Sequence, residues 1–217
     1  RGGRLQSGAA VPGGWGDFEG QASIGQDFRR GTDDDSGLGD VLLTAALYWK
    51  GKGNLHYKLS ESVFVPTGSY SDSEGTLANV GRNYWGFDTT FTVTWMNMET
   101  GREFVIAPGI LFNTENSDTD YQSGTEFHLD VALNQYLAQN LAVGLHGYYY
   151  RQLSGDSGSG AKLGDFKGES YGIGPALFWS PKVENGKLSV MLKWLHDFHN
   201  ENRLDGDYAQ LVVVYQF

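Results

Sequence analysis

The sequence predicts an all-β protein, a transmembrane antiparallel up-and-down β-barrel with ten readable strands. Long segments alternate apolar and polar residues with a period of two, and their connections alternate between short turns and long polar loops. The 12 Tyr, 12 Phe and 31 Gly suit strands, tight turns and aromatic belts at a membrane surface. No run of about 18 apolar residues is present, which excludes helical membrane spans. We expect one barrel domain over residues 1–217.

The last segment shows the strand pattern most clearly. Its odd positions run from Ala209 to the terminal Phe217 as one apolar face, while Tyr208, Gln210 and Gln216 lie on the other. A final amphipathic strand that ends in Phe is typical of outer-membrane barrels. Reading back from it, the predicted strands are 3–11, 39–50, 53–66, 84–98, 102–113, 124–138, 140–153, 168–180, 187–198 and 207–217.

The connections favour a membrane barrel over a soluble sandwich. Tight turns are predicted at 51–53, 99–101 and 138–140, with a moderate one at 180–186. The long polar loops are predicted at 12–38, 67–83, 114–123, 154–167 and 199–206. Short turns on the periplasmic side and long loops outside are the barrel pattern. We expect 12–38 to be an extracellular loop with an extra hairpin, or a segment that folds inward.

Polar positions of the strands are expected to face the lumen. In 124–138, Phe127 and Leu129 alternate with Glu126, His128 and Asp130. Charges belong inside because Lys or Arg at the bilayer midplane costs roughly 2–4 kcal/mol. The predicted lumen-lining residues are His56, Lys58, Asp88, Glu103, Glu126, His128, Asp130, Tyr136, His146, Tyr148, Lys193 and Asp197.

Glu61 breaks this pattern, because it shares the parity of the lipid-facing residues of its strand. A bulge that turns Glu61 inward is the favoured explanation, and a gap in the wall near Pro66 is the alternative. Pro108 and Pro175 also interrupt strands, so we expect incomplete pairing beside them. These four residues mark a hypothetical lateral opening.

Loop and strand-start motifs permit a comparison with a known family. The motifs are Ser36–Asp40, Phe64–Gly68, Asn79–Trp85, Asn113–Asn116, Thr119–Gly124, Glu126–Asp130, Ser157–Ala161 and Glu201–Arg203. Together they resemble the outer-membrane channel family named for the meta-pathway of phenol degradation, from about Ser36 to Phe217. The resemblance implies a barrel of about twelve strands that takes up small hydrophobic, often aromatic, compounds in Gram-negative degraders.

The start of the chain departs from that family, whose members carry further strands before the segment that matches Gly3–Val11. Either two strands are missing from this sequence or the barrel is smaller. An even strand count is expected in both cases. Arg1–Leu5 shows no signal leader, so we expect a mature form or a piece of a longer protein.

A polar lattice is predicted where strands meet the outer loops, which we call the channel mouth. Within it, Arg82 is expected to fork to Glu115 or Asp120, and Trp85 to lie in an interfacial aromatic belt. Ordinary loop capping is the alternative role. The predicted mouth residues are Asn79, Arg82, Asn83, Trp85, Asn113, Glu115, Asn116, Asp120 and Tyr121.

Other functional classes have little support. The formal charge of -10 argues against nucleic acid, and the absence of cysteine excludes disulfides and thiolate metal sites. An embedded enzyme would need a catalytic group, and only Asp130 with His146 offers a candidate hydrogen-bonded pair. Loop acids at 33–35, Asp118, Asp120 and Asp156 lack EF-hand spacing. We therefore expect no catalytic residue, metal or cofactor.

The inward positions include apolar residues such as Leu42, Phe64, Leu111 and Phe178, which a hydrophilic pore does not require. We therefore expect a passive channel of the bacterial outer membrane for small hydrophobic or aromatic molecules, with lateral exit into lipid as a further hypothesis. The alternative is a general diffusion porin for hydrophilic solutes. Expected partners are the apolar solutes, outer-membrane lipid and lipopolysaccharide, with no nucleic acid, and a monomer is expected.

Overall fold

The computed structural model describes residues 3–24, 27–71, 79–203 and 206–216. Its strands are β1 (Arg4–Ala10), β2 (Gly13–Ile24), β3 (Asp27–Leu38), β4 (Val41–Lys50), β5 (Leu55–Val65), β6 (Gly86–Asn97), β7 (Arg102–Asn113), β8 (Glu126–Ala138), β9 (Leu141–Gln152), β10 (Glu169–Trp179), β11 (Lys187–Glu201) and β12 (Asp207–Gln216).

Ten of these strands form one antiparallel sheet in the order β1-β4-β5-β6-β7-β8-β9-β10-β11-β12, and β2 pairs with β3 separately. This confirms the predicted all-β class and all ten predicted strands. The described residues contain no helix long and apolar enough to span a membrane.

From β4 onward, every strand pairs with its neighbour in the chain, so successive connections alternate between the two ends of the sheet. One end carries the short turns, and the other carries the long connections, as predicted. Of the long connections, 199–206 is shorter than expected because β11 continues to Glu201. A register shift between Tyr171 and Gly172 lets the last residues of β11 pair with the start of β10.

The predicted loop at 12–38 contains the extra hairpin. Its strands pair from Gly13 opposite Leu38 to Ile24 opposite Asp27, at the long-loop end of β1 and β4. The other expectation, that this segment folds inward, concerns side chains that lie outside the described residues. Phe217, the predicted last residue of the final strand, also lies outside them.

The sheet has two chemically different faces. Buried residues such as Ala46, Ser60 and Leu111 lie on one face, which we call the inner face. Large apolar side chains cover the outer face and are exposed, among them Leu133 at 56% and Leu192 at 50%. A soluble protein rarely exposes so continuous an apolar surface, whereas a strand wall in lipid requires one.

The ladders break beside two prolines, as the sequence predicts. Between β6 and β7 the pairing passes from Thr90–Gly109 to Val93–Ile106, so Pro108 has no partner on β6. Between β10 and β11 it passes from Ile173–His196 to Ala176–Lys193, around Pro175. Proline has no N–H to donate, so each ladder loses hydrogen bonds on that side only.

The expectations for Glu61 and Pro66 need correction. Both ladders of β5 run without a register shift, so the favoured bulge at Glu61 is wrong. Glu61 stays on the outer face and pairs with Ala45 and Thr89, so the wall has no gap there. Its carboxylate accepts a 2.5 Å hydrogen bond from the Thr89 hydroxyl, which gives this outer-face acid a polar partner. Pro66 follows the end of β5 and interrupts no ladder.

Gly174 is required by the close approach of β10 and β11 beside Pro175. A Cβ atom at Gly174 would lie 1.8 Å from the backbone oxygen of Trp194. We expect Gly174→Ala to destabilise the protein by about 1–3 kcal/mol, because backbone must move to admit the methyl group. Gly8→Ala is the matched control, since nothing lies within 4 Å of its Cβ position. Thermal unfolding in detergent, followed by circular dichroism, measures both; equal stability of the two variants contradicts this account.

Candidate functional site

Asp40 ties together the segments that form the channel mouth. This aspartate is only 5% exposed. Its carboxylate accepts 2.9 Å hydrogen bonds from the backbone N–H groups of Gly68 and Arg82. Gly68 also lies against Gly81, where a Cβ on either residue would contact backbone of the other within 2.8 Å. Asp40 therefore fixes the long β5–β6 connection against the start of β4.

A second cluster joins the β5–β6 and β7–β8 connections. The Asn83 amide donates to Asn116 Oδ1 at 3.1 Å and to Asp118 Oδ2 at 2.7 Å. The buried Asn116 amide donates in turn to the Tyr70 hydroxyl at 2.9 Å. Asn83 has a φ of 59°, a left-handed conformation that asparagine tolerates better than most residues. The predicted lattice is thus present around Asn83 and Asn116.

Two more mouth contacts involve carboxyl groups. A hydrogen bond with Asp120 raises the pKa of Glu115, whereas hydrogen bonds from Ser159 lower the pKa of Asp120. The Ser159 N–H donates to Asp120 Oδ2 at 3.0 Å. Asp156 accepts hydrogen bonds from the hydroxyl of Tyr121 and the N–H of Gly124. Burial, and then this bond to Asp156, raises the pKa of Tyr121. The β7–β8 and β9–β10 connections are therefore joined by hydrogen bonds.

The predicted fork from Arg82 to Glu115 or Asp120 is wrong. The Arg82 guanidinium lies over the inward-facing ring of Phe64, with Cζ 4.4 Å from the ring centroid. Glu115 and Asp120 contact each other instead. Arg82 belongs to the β5–β6 connection, and its backbone is held by Asp40, which directs the guanidinium along the end of β5.

The remaining mouth residues have local roles. Asn79 exchanges two hydrogen bonds with the backbone of Ser71, at 2.7 and 3.0 Å. Trp85 is 43% exposed on the outer face and stacks on Phe87 with 6.5 Å between ring centroids. Asn113 donates to Glu126 Oε1 at 2.8 Å and connects the mouth to the inner face.

All twelve predicted lumen residues lie on the inner face, as the strand registers show. Their side chains form separate groups instead of one network. Tyr148 donates to Asp197, and the rings of Tyr136 and Phe178 lie 6.3 Å apart. His56 and Lys58 share β5 and take no part in these groups.

One inner-face group lies on β6 and β8. Nε2 of His128 is hydrogen-bonded to Asp88 Oδ1 at 2.9 Å. Its Nδ1 lies 3.7 Å from Asp130 Oδ2. A Cβ on Gly109 would lie 2.3 Å from His128 Nε2, so glycine leaves the space that the imidazole occupies. The histidine is thus held between two carboxylates.

The second group lies nearer the short turns. Asn134 donates to Glu103 Oε1 at 2.8 Å, and its Oδ1 lies 3.0 Å from His146 Nε2. The candidate hydrogen bond between Asp130 and His146 is therefore absent, since the imidazole bonds to Asn134. Gly144 lies opposite Asn134 and leaves room for the amide side chain. The pair considered for an embedded enzyme does not form.

The candidate calcium ligands are engaged in loop hydrogen bonds. Asp118, Asp120 and Asp156 each accept from neighbouring loop residues. Within the described ranges, no three His, Asp or Glu side chains gather closely enough to hold a metal ion. The side chains of 33–35 lie outside the described residues.

Comparisons with known proteins place this arrangement in a family. A family model described as "Putative MetA-pathway of phenol degradation" matches residues 1–212. The chain belongs to this family. The crystal structure of an outer membrane channel from Pseudomonas putida F1 is similar, with a TM-score of 0.73 over 97% of this chain and 74% of that chain, at 14% identity. No curated protein sequence matches the chain.

For this member of the phenol-degradation family, the structural likeness establishes a shared fold, that of an outer membrane channel. Sequence reasoning missed Asp40, Tyr70 and Gln152 as parts of the mouth; the amide of Gln152 donates to Asp156, and its Oε1 accepts from the Gly168 N–H. In the sequence, Asp40 stands out only as the last residue of the glycine-rich motif Ser36–Asp40, which leads into a predicted strand. Its partners lie 28 and 42 residues away, a separation that no local pattern reveals.

Removal of the Asp40 carboxylate tests its role in the mouth. We expect Asp40→Ala to accelerate hydrogen exchange at the N–H groups of Gly68 and Arg82 by more than about tenfold, because each loses a charge-assisted bond. Hydrogen-exchange mass spectrometry of the detergent-solubilised protein measures it. Asp165→Ala removes an acid that is 83% exposed and should leave both amides protected. Unchanged exchange in Asp40→Ala would show that the loops are held by other contacts.

Proposed function

We propose that this chain forms a passive channel in the bacterial outer membrane for small hydrophobic and aromatic molecules. The observation that carries the proposal is the mixed character of the inner face. A cavity of about 650 Å³ there is lined by four tyrosines, Leu195 and other apolar side chains, together with six ionisable residues: Asp88, Glu126, His128, Asp130, Lys193 and Arg203. The aromatic rings supply surface on which an apolar solute can lie, and the polar groups lie beside them. The family description, which names phenol degradation, supports an aromatic solute.

The outer face supports the membrane location. Outward positions of the central strands expose Leu59, Phe91, Leu145 and Leu177 to about the same degree, between 38% and 46%. Trp85, Trp95, Trp179 and Trp194 are also exposed there. In this proposal the solvent of that face is outer-membrane lipid and lipopolysaccharide, and the protein acts as a monomer.

The inner face is more apolar than passage of hydrophilic solutes requires. Ala46, Leu111, Ala142, Ala176 and Leu195 are buried there. Small residues let larger side chains lie flat against the wall, which keeps space open beside them. These apolar positions offer an apolar solute direct contact with parts of the wall.

The seam between β6 and β7 supports a lateral exit into lipid. Pro108 leaves the ladder incomplete, and the hydroxyl of Thr92, on the facing stretch of β6, is buried without a hydrogen-bond partner among the described residues. On the outer face, Thr89 of β6 and Glu61 of the neighbouring β5 form a polar pair beside this seam. We propose that solutes leave the lumen through this seam, with the break beside Pro175 as a second weak point.

The function is tested by conductance and uptake together. We expect low or flickering single-channel conductance in a planar bilayer, and toluene uptake that expressing cells show and deleted cells lack. The reason is that a narrow, partly apolar lumen admits an apolar ring more readily than hydrated ions. A large stable conductance without toluene uptake would instead make the protein a general diffusion porin, with the apolar inner residues serving only as packing.

The lateral route predicts an effect of completing the ladder. We expect Pro108→Val to slow toluene uptake several-fold while ion conductance stays unchanged, because valine supplies the missing N–H and closes the seam. Pro66→Val is the matched control, since Pro66 lies beyond β5 and breaks no ladder. Pro175→Val tests the second break in the same way. Unchanged uptake in intact cells for both Pro108→Val and Pro175→Val would eliminate the lateral route.

A further inference from the structure

Arg102 places a cation on the apolar outer face of the sheet. It is the first residue of β7, directly after the turn at 99–101, and it has the same outward parity as Phe104. Among the described strand residues at the short-turn end, it is the one charged side chain with that parity. It forms no ion pair with a described residue. The adjacent carboxylate of Glu103 lies on the inner face, where it accepts from Asn134.

The Arg102 side chain borders a groove on the outer face. The groove has a volume of about 390 Å³, and the inward residues between its walls contribute backbone to its floor. Trp95, Phe104 and Leu133 are successive cross-strand neighbours on β6, β7 and β8, and their exposure runs from 38% to 56%. The groove is therefore apolar along one side and cationic at its end. Its outward lining residues are Trp95, Arg102, Phe104, Leu133, Gln135 and Val143.

The backbone that carries Arg102 is held in place. Arg102 pairs with Asn97 on β6 and with Gln135 on β8. The Gln135 amide donates to the backbone oxygens of Thr100 and Gly101, at 2.9 and 3.3 Å. These bonds tie the turn before Arg102 to the neighbouring strand. The groove and its cation are thus formed without a ligand, which lowers the entropy cost of binding one.

The ligand that fits this groove joins an anion to an apolar chain. A guanidinium donates paired hydrogen bonds to a phosphate group, and phosphate oxygens only accept. Tryptophan favours the boundary between hydrocarbon and lipid headgroups, so Trp95 suits the same depth. In the proposed membrane setting the short turns face the periplasm, and the lipids of that leaflet are glycerophospholipids.

We propose that Arg102 and this groove bind one glycerophospholipid of the inner leaflet. The phosphate lies on the guanidinium, and an acyl chain lies along Trp95, Phe104 and Leu133. The proposal rests on the membrane location in the proposed function and adds a specific lipid to the wall of the channel. The bound phosphate neutralises the outward charge of Arg102 and fixes the depth of β6, β7 and β8 in the membrane.

Native mass spectrometry of the protein in a neutral detergent tests this site by titration with dioctanoyl-phosphatidylglycerol. Dioctanoylglycerol is the matched probe, because it keeps both chains but has no phosphate. We expect Arg102→Gln to weaken phospholipid binding about fivefold or more and dioctanoylglycerol binding less than twofold, because only the charge-assisted bonds are lost. Arg102→Lys keeps the charge and should lose less. The control Arg151→Gln alters an exposed outward arginine that already pairs with Glu169 at 3.5 Å, and should change neither.

Three outcomes would overturn the proposal. Unchanged phospholipid binding in Arg102→Gln would show that the lipid binds elsewhere. Equal losses in Arg102→Gln and Arg151→Gln would show that binding follows the total charge and not the groove. Equal affinity of the wild-type protein for both probes would show that the phosphate is not recognised. Toluene uptake can persist while this lipid site fails, whereas a wild-type chain absent from the outer-membrane fraction of cells would refute the proposed function itself.

Discussion

A strand wall with an apolar, exposed outer face must satisfy its backbone hydrogen bonds within the sheet, and the rest of this structure depends on that constraint. Antiparallel pairing of chain neighbours meets it from β4 to β12. The same pairing fixes side-chain direction, so one face is apolar and the other carries most of the ionisable side chains. Where Pro108 and Pro175 withhold an N–H, the ladder opens, and the unusual polar positions of Thr92 and Glu61 are found near the first of these breaks.

Strands and faces were predictable because both depend on local sequence. A period of two identifies a strand and its faces together, and the inner-face positions followed from parity alone. Two local expectations failed for physical reasons. The parity of Glu61 suggested a bulge, but the hydroxyl of Thr89 on the next strand gives its carboxylate a partner in place. The end of β11 was placed too early, because a bulge beside Tyr171 extends its pairing to Glu201.

Side-chain partners were less predictable than side-chain direction. Parity placed His146 and Asp130 on the same face, but Gly144 admits the amide of Asn134, which takes the imidazole instead. At the mouth, Arg82 had nearby acids in sequence, yet Asp40 anchors its backbone beside the ring of Phe64. Such contacts depend on the depth of each residue along its strand and on the path of long loops, which no short motif encodes.

The position of Asp40 has a consequence for the order of assembly. Hairpins such as β8–β9 join residues close in sequence and can form early, whereas the bonds of Asp40 span 28 and 42 residues. These bonds require β4, β5 and β6 to be already side by side. The long-loop end of the sheet is therefore completed last, after these strands have paired. In the proposed membrane setting, late closure lets the polar loops translocate as flexible chain and become ordered only on the far side.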